Sequence, residues 1–432
     1  MPNENAASEL PDYTQNGDMG ENLLRNSSLI NTAEVPDSIA LDETLGELPG
    51  SVFKDTTLKS VTLGPRTLSL EYGESLSRAI SQLPVVGGTI NLAAGTYVIN
   101  TAVIGKSALK IIGENYLTTI IDFNNTAANL SFQGTSMYST GTITSIASGV
   151  IVTGSGTLWL ANVTTGEQFY IAQRWYKIAS VDSDTQITLS EGYAGGATFP
   201  GAAYRVGSII ESVVLENLTL KNSTGIGIDF DDCRNVNLEQ VQLVDCNIGF
   251  SMDNVSEISI NTVTSVSHTS HGVTLTGCGF GDVESFSTPS NGGSGVVLNT
   301  CRTIPFQYCS SNSNTADGYN LTSCDTISIT AEAVSNGSQG IELVSGNSDI
   351  FISQGVVESN TSDGVKLTAS SDNCFISDCS IKSNGGYGVN IAVAGDDTNL
   401  IIGNNFASNT SGQVNNVGTG TLIRSNIGVV DN

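Results

Sequence analysis

The stretch Asn291-Gly292-Gly293-Ser294-Gly295-Val296-Val297-Leu298-Asn299-Thr300-Cys301 recurs, one unit further on, as Asn314-Thr315-Ala316-Asp317-Gly318-Tyr319-Asn320-Leu321-Thr322-Ser323-Cys324. The two match position for position. Each has an Asn, a Gly four residues later, apolar residues one and three after the Gly, and a Cys six after it. The frame extends both ways, at nearly constant spacing, through Gly227, Gly249, Gly272, Gly295, Gly318, Gly340, Gly364 and Gly388. The first apolar file is Ile228, Phe250, Val273, Val296, Tyr319, Ile341, Val365 and Val389. The second is Phe230, Met252, Leu275, Leu298, Leu321, Leu343, Leu367 and Ile391. A fixed period of this length means stacked units.

Within each unit, apolar and polar residues alternate with period two, the pattern of strands with one buried face. Ile327 with Ile329, and Ile350 with Ile352, mark a second strand per unit. No amphipathic helix of useful length follows residue 85, and the Leu-x-x-Leu-x-Leu frame of leucine-rich repeats is absent. The pattern predicts an all-β chain, a right-handed parallel β-helix with one coil per repeat. At the interstrand distance, about ten coils after Val206 would give a rod of roughly 45–50 Å. The files Asn291, Asn314, Asn336, Asn360 and Asn384 would form an amide ladder at a tight turn. Cys233, Cys278, Cys301 and Cys324 form another file, with Val255 and Gly346 in the same slot. Val255 marks that slot as inward, so these cysteines read as small buried hydrophobes.

The chain has 432 residues, 42 acidic against 16 basic, and a formal net charge of −26. Such a surface repels nucleic acid and anionic membranes. No apolar run is long enough to span a membrane. No Cys-x-x-Cys or His cluster suggests a metal, and no cofactor is implied. The start, Met1-Pro2-Asn3-Glu4-Asn5, lacks the basic and apolar regions of a secretory signal. The expectation is synthesis in a cytoplasm with action outside it.

Residues 1–50 are polar and acidic and read as an extended arm. Residues 51–138 hold a strand-like run at Leu58–Leu63, a short amphipathic helix within Glu71–Leu83 and the first coils. Residues 139–206 break the coil pattern into five short strands at hairpin spacing, an inserted small β-barrel or sandwich. Residues 207–432 carry the main coils. Both tryptophans, Trp159 and Trp175, lie in the insert. They would form its core or a protruding carbohydrate-binding surface.

The helix, then Gly87-Gly88-Thr89-Ile90-Asn91-Leu92, then Ala94-Gly95-Thr96-Tyr97, then an apolar run ending in Gly113-Glu114, resembles the opening coil of pectate-lyase-like right-handed β-helices. This form is common in bacteriophage tailspikes and tail fibres. The insert phrase Ile178-Ala179-Ser180-Val181-Asp182-Ser183-Asp184-Thr185-Gln186-Ile187-Thr188-Leu189 is similar to a small β-module of phage tail proteins. The resemblance implies a helix capping the open end of the solenoid and a homotrimer.

Glycan-cleaving β-helices need paired carboxylates, or a base with cationic stabilisers. Twelve residues after their glycines, Glu239 and Glu284 share an outward file two coils apart, about 9–10 Å. Asp282 is about 6.5–7 Å along the strand from Glu284. Glu239, Asp282 and Glu284 therefore form a candidate acid/base set. In a chain with 42 carboxylates such alignment also arises by accident. His268 occupies the Asn-ladder slot and reads as structural. Asp231-Asp232 and Asp396-Asp397 read as solvated turn pairs rather than metal ligands. Phe351 and Phe375, one repeat apart, form an outward aromatic file for sugar stacking or subunit contact.

The reading is a phage virion protein, a trimeric tailspike or fibre contacting host-surface glycan. The arm 1–50 would attach it to tail or capsid proteins. The alternatives are a polysaccharide depolymerase on the same scaffold and a non-enzymatic capsid-decoration protein. A secreted plant-polysaccharide lyase is disfavoured by the missing signal and basic site.

Overall fold

The computed structural model describes residues 66–71, 73–147, 149–193 and 198–429. The arm at 1–50 and the run Leu58–Leu63 lie outside them. The described chain winds as a right-handed parallel β-helix with three faces. Face 1 starts at Arg66–Leu70, Gly88–Leu92 and Leu109–Gly113; face 2 starts at Gly95–Val98 and Thr119–Thr126. The two faces merge into one 19-stranded sheet, because long strands such as Ile210–Ser223 and Cys233–Val244 bend through both. The bend is made by a single left-handed residue: Asn217, Gln240, Thr262, Ser285 and Tyr308 in successive coils. Face 3 is an 11-stranded sheet from Val103–Ile104 to Gly412–Asn416. Ten spacings between those strands make it roughly 48 Å long.

Register keeps like above like. On face 3 Ile228 pairs with Phe250, then Val273, Val296, Tyr319, Ile341, Val365 and Val389. These side chains and the second apolar file fill one continuous core. The helix, Leu76–Gln82, begins later than the periodicity suggested. Gly73 has φ +94°, and the Ser75 hydroxyl accepts from the Arg78 amide at 3.3 Å. Its face of Leu76, Ala79 and Ile80, with Leu83 following, joins that core at the N-terminal end.

The Asn ladder stands at the corner between faces 2 and 3. Asn314 Nδ2 donates to Asn336 Oδ1 at 3.0 Å, Asn336 to Asn360 at 3.0 Å, and Asn360 to Asn384 at 2.9 Å. Each Oδ1 also accepts the backbone N–H of the coil before, so one side chain satisfies three groups. Asn409 extends the ladder. His268 takes the same slot, its Nδ1 accepting the Cys246 amide at 3.0 Å. Burial drives its pKa down to about 4. All eight cysteines are free and buried. The Cys slot in the next coil is filled by Asn347, not Gly346. A register shift between Leu321 and Thr322 advances that coil by one residue, and the Asn347 Oδ1 accepts the Cys324 amide at 3.0 Å.

The segment that leaves face 3 after Leu130–Gln133 and returns to face 1 at Ile210 forms its own antiparallel sheet of eight strands between Thr135 and Ser208. Trp159 lies at its centre, edge-on to Phe169 and Tyr204, with Nε1 donating to the Tyr204 hydroxyl at 3.0 Å.

Asn336→Ala would strand the donors of Asn314 and open a void, lowering stability by about 2–4 kcal/mol; thermal melting reads this. His268→Asn would continue the ladder. The wild-type imidazole resists protonation when folded, so its contribution is lost as pH falls from 6.5 toward 4. The Asn variant should melt no lower than wild type at pH 7.5 and increasingly higher below pH 6.

Candidate functional site

Register places Glu239 beside Glu216 on one side and Asn261 on the other, with Glu284 beyond Asn261. The predicted file therefore exists, but Asn261 separates its two glutamates. Asp282 pairs with Ser259 on the same outward face. Glu239 and Asp282 are exposed and Glu284 is half-buried, on the outward face of the merged sheet. Phe351 and Phe375 do stack, with centroids 5.3 Å apart and planes 18° from parallel. Leu400 and Leu422 continue their file.

A solvent-facing sugar platform on the tryptophans is corrected. Both indoles are fully buried. Trp159 is insert core. Trp175 packs with Tyr170 and Ile209 against the rod, and its Nε1 donates to the Asn254 carbonyl at 2.7 Å. The Tyr170 hydroxyl donates to the Gly277 carbonyl one coil further on. Gly277 has φ +61°, and a Cβ there would meet the Tyr170 hydroxyl at 3.0 Å and Asn254 Oδ1 at 2.8 Å. Only glycine suits both the turn and the contact. Arg174 adds a side anchor, 3.8 Å from Glu257 and stacked between Tyr176 and Phe280 at 5.4 and 5.3 Å. The insert is thus pinned along the corner where face 3 turns into face 1.

Beside this corner lies a carboxylate cluster. Asp229 and Asp231 alternate outward on one face-3 strand, Ile226–Asp231. Asp253 stands in register with Asp231 on the next coil, about 4.8 Å away at Cα. Asp232, in the left-handed corner position with φ +54°, turns inward and is only 1% exposed. Arg205 from the insert reaches its Oδ2 at 2.5 Å. The expectation that Asp231-Asp232 and Asp396-Asp397 are solvated pairs is corrected by half: Asp232 and Asp396 are interior. Asp396 continues the Cys slot and accepts the Ser371 amide at 2.8 Å. In each pair one member turns under the sheet edge at a corner and the other stays outside.

The electrostatics follow from burial. Desolvation, then repulsion from Asp231, pushes Asp232 up to about 6 despite Arg205. Burial also raises Asp229, and burial together with Asp231 raises Asp253. Raised carboxyls clustered with other carboxyl groups are an arrangement from which one group could protonate a leaving oxygen while another activates water. Among the described residues, no group of three or more His, Cys, Asp or Glu side chains is arranged to hold a metal ion.

Further along face 3 most outward positions are polar, Thr274 and Thr276, Asn299, Asn320 and Thr322, with Val297 in register between Thr274 and Asn320. Beyond them Lys366 pairs with Glu342 at 3.0 Å. Asp363 accepts from Asn390 Nδ2 at 2.8 Å. The cluster was missed in the sequence although the period contained it, since Asp231 and Asp253 stand one repeat apart in a single file.

The family model described as "Right handed beta helix region" matches residues 269–432. No curated protein matches the sequence. The A-module of the Azotobacter vinelandii mannuronan C-5 epimerase AlgE4 is similar at TM-score 0.52 and 15% identity, over 80% of this chain and 93% of that one. The A-module of AlgE6 from the same organism is similar at TM-score 0.50 and 15% identity, over 80% and 92%. The Pseudomonas phage phi297 tailspike gp61 aligns at TM-score 0.41 and 12% identity, over 74% and 66%. At these identities the likeness shows the fold alone: the chain is a right-handed parallel β-helix.

Removing Arg205 leaves Asp232 buried without its cation. Arg205→Ala should cost roughly 2–4 kcal/mol at pH 7.5. A carboxyl whose folded pKa is raised gains stability as pH falls through that value toward 3.8. The deficit relative to wild type should therefore shrink at pH 5, which melts at the two pH values would record.

Proposed function

We propose that this chain is a virion protein of a tailed phage, a homotrimeric tailspike or tail fibre whose rod contacts host-surface polysaccharide along face 3. The observation that carries the glycan part is the outward run, mostly of carboxylates, amides and hydroxyls, from Asp229 to Asn390, interrupted by Val297 and carrying Lys366, and walled at one end by the docked insert. Sugar hydroxyls both donate and accept, and such a run offers them closely spaced partners. The outward pair Phe351 and Phe375 supports contact between copies, since stacked exposed aromatics on a charge-poor stripe favour burial. Attachment to the particle would fall to residues 1–50.

Purified protein should bind polysaccharide extracted from a susceptible host. Thr274→Ala with Asn320→Ala should weaken binding five- to tenfold, and Glu332→Gln on face 2 should leave it unchanged. Equal binding by all three proteins would remove face 3 from the account.

A depolymerase is the second reading, favoured by the raised carboxyls of Asp229 and Asp253 beside Asp231. Hydrolysis needs one carboxyl to give a proton to the glycosidic oxygen and one carboxylate to take a proton from the attacking water. Release of reducing ends that falls at least a hundredfold in Asp231→Asn and in Asp253→Asn, yet survives Glu239→Gln and Glu284→Gln, supports the Asp cluster. The reverse pattern would return the chemistry to Glu239, Asp282 and Glu284.

A further inference from the structure

We propose that the cleft at the foot of the insert, beside Gln168, binds one neutral sugar ring through adjacent hydroxyls. The site is separate from face 3 and goes beyond the reading of that face as the glycan-contact surface.

The insert's last strand, Arg205–Ser208, runs back into the rod strand Ile210–Ser223. Between this crossing and the turn at 164–167 lies an open cleft of about 390 Å³. Ligand sites span roughly 300–1,000 Å³, so this one has room for a ring and not for a chain. Thr164, Thr165 and Ser208 line it and are exposed, with the carboxylates Glu167 and Glu211 beside them. Each carboxylate has one oxygen engaged. Glu167 Oε2 accepts the Thr164 amide at 2.7 Å, and Arg234 Nη2 holds Glu211 Oε1 at 2.9 Å.

Gln168 points to a ligand independently of the cleft's shape. The residue lines the cleft and is only 6% exposed, yet its Oε1 is buried without a hydrogen-bond partner. No described residue accepts from its Nε2. Strand alternation gives the direction of the amide. On Gln168–Ile171, Phe169 enters the insert's core, while Tyr170 faces the rod and donates to the Gly277 carbonyl there. Gln168 is two residues from Tyr170 and stands on the same, rod-facing side. Ile209 and Glu211 complete the cleft on that side. Gly207 lies opposite Gln168 in register and adds no side chain to close the space. A buried amide with both ends unbonded is costly, and packing does not account for it.

The chemistry of the wall selects the ligand. A primary amide offers an acceptor and two donors side by side. Two adjacent sugar hydroxyls, each able to donate and accept, match both ends at once. An anionic sugar would meet Glu167 and Glu211, and a cation would leave the amide's donors unanswered. A neutral ring also finds partners in Thr164, Thr165 and Ser208.

Saturation-transfer NMR on the full chain tests this with glucose, galactose, mannose and galacturonate as probes. At least one neutral hexose should bind with a millimolar Kd, and galacturonate at least fivefold more weakly. Gln168→Leu should abolish the hexose signal yet melt no lower than wild type, because no hydrogen bond is lost. Ser208→Tyr, at an exposed position, should block the cleft and abolish the signal too, and it decides the matter if Gln168→Leu melts lower. No signal from any of the three hexoses, galacturonate bound as tightly as they are, or full hexose binding by Ser208→Tyr or by a folded Gln168→Leu would each overturn the proposal. Thr274→Ala with Asn320→Ala should leave the hexose signal unchanged. Its loss in that variant, with Gln168→Leu still binding, would put the sugar on face 3, defeating this inference and leaving the face-3 reading standing. Hexose held in the cleft while host polysaccharide goes unbound would defeat the face-3 reading alone.

Discussion

The backbone hydrogen bonds between successive coils are the constraint on which the rest depends. They hold neighbouring coils at one strand spacing, so a residue at a given phase stands directly against its copy one coil away. A polar residue that recurs must therefore bond to itself, and an apolar residue that recurs must fit over itself. The Asn ladder meets the first condition: the Asn336 amide bonds Asn314 and Ser311 in the coil before and donates to Asn360 in the coil after. The inward files meet the second by exchanging size along the rod, Phe250 against Val273 and Tyr319 against Val296. Phe132 and Phe230 meet it by stacking, with centroids 4.9 Å apart.

The same rule makes outward charge conspicuous. Like charges in register on adjacent coils repel, and the usual remedy is alternation of sign, as Glu342 and Lys366 show. Asp231 above Asp253 is an uncompensated exception, worsened by Asp229 and Asp232. It lies at the corner where the insert docks. The insert supplies Arg205 to the innermost carboxyl and leaves the outer ones open. A local departure from the stabilising pattern, next to a module held by Trp175, Tyr170 and Arg174, is the form that functional sites take on repetitive scaffolds.

The solenoid was readable because its period repeats one set of physical demands many times. The inward phases after each Gly, the ladder and the inward Cys slot all follow from alternation and recurrence alone. The reading slipped where a single coil changed length: the register shift at Leu321–Thr322 put Asn347, not Gly346, into the Cys slot. The insert was visible as an interruption but not in detail. Its strands Thr135–Tyr138, Thr198–Ala202 and Arg205–Ser208 are short and lack clean alternation, so five strands were expected where eight form. The fate of Trp175 depended on docking, which no local pattern encodes. Asp232 was misjudged for a related reason. A turn residue next to an acidic neighbour ordinarily faces water, and here the arginine that covers it comes from another module.

The central claim is that the outward surface of face 3, beginning at the Asp229–Asp231–Asp253 cluster under the insert, is where this rod meets its glycan. A structure of the protein with a bound host oligosaccharide tests it most directly. The account predicts sugar density running along face 3 from Asp253 toward Asn320, with its nearest charged contact at Asp231. Density lying instead along Phe351 and Phe375, or against Glu239 and Glu284 on the merged sheet, would contradict it.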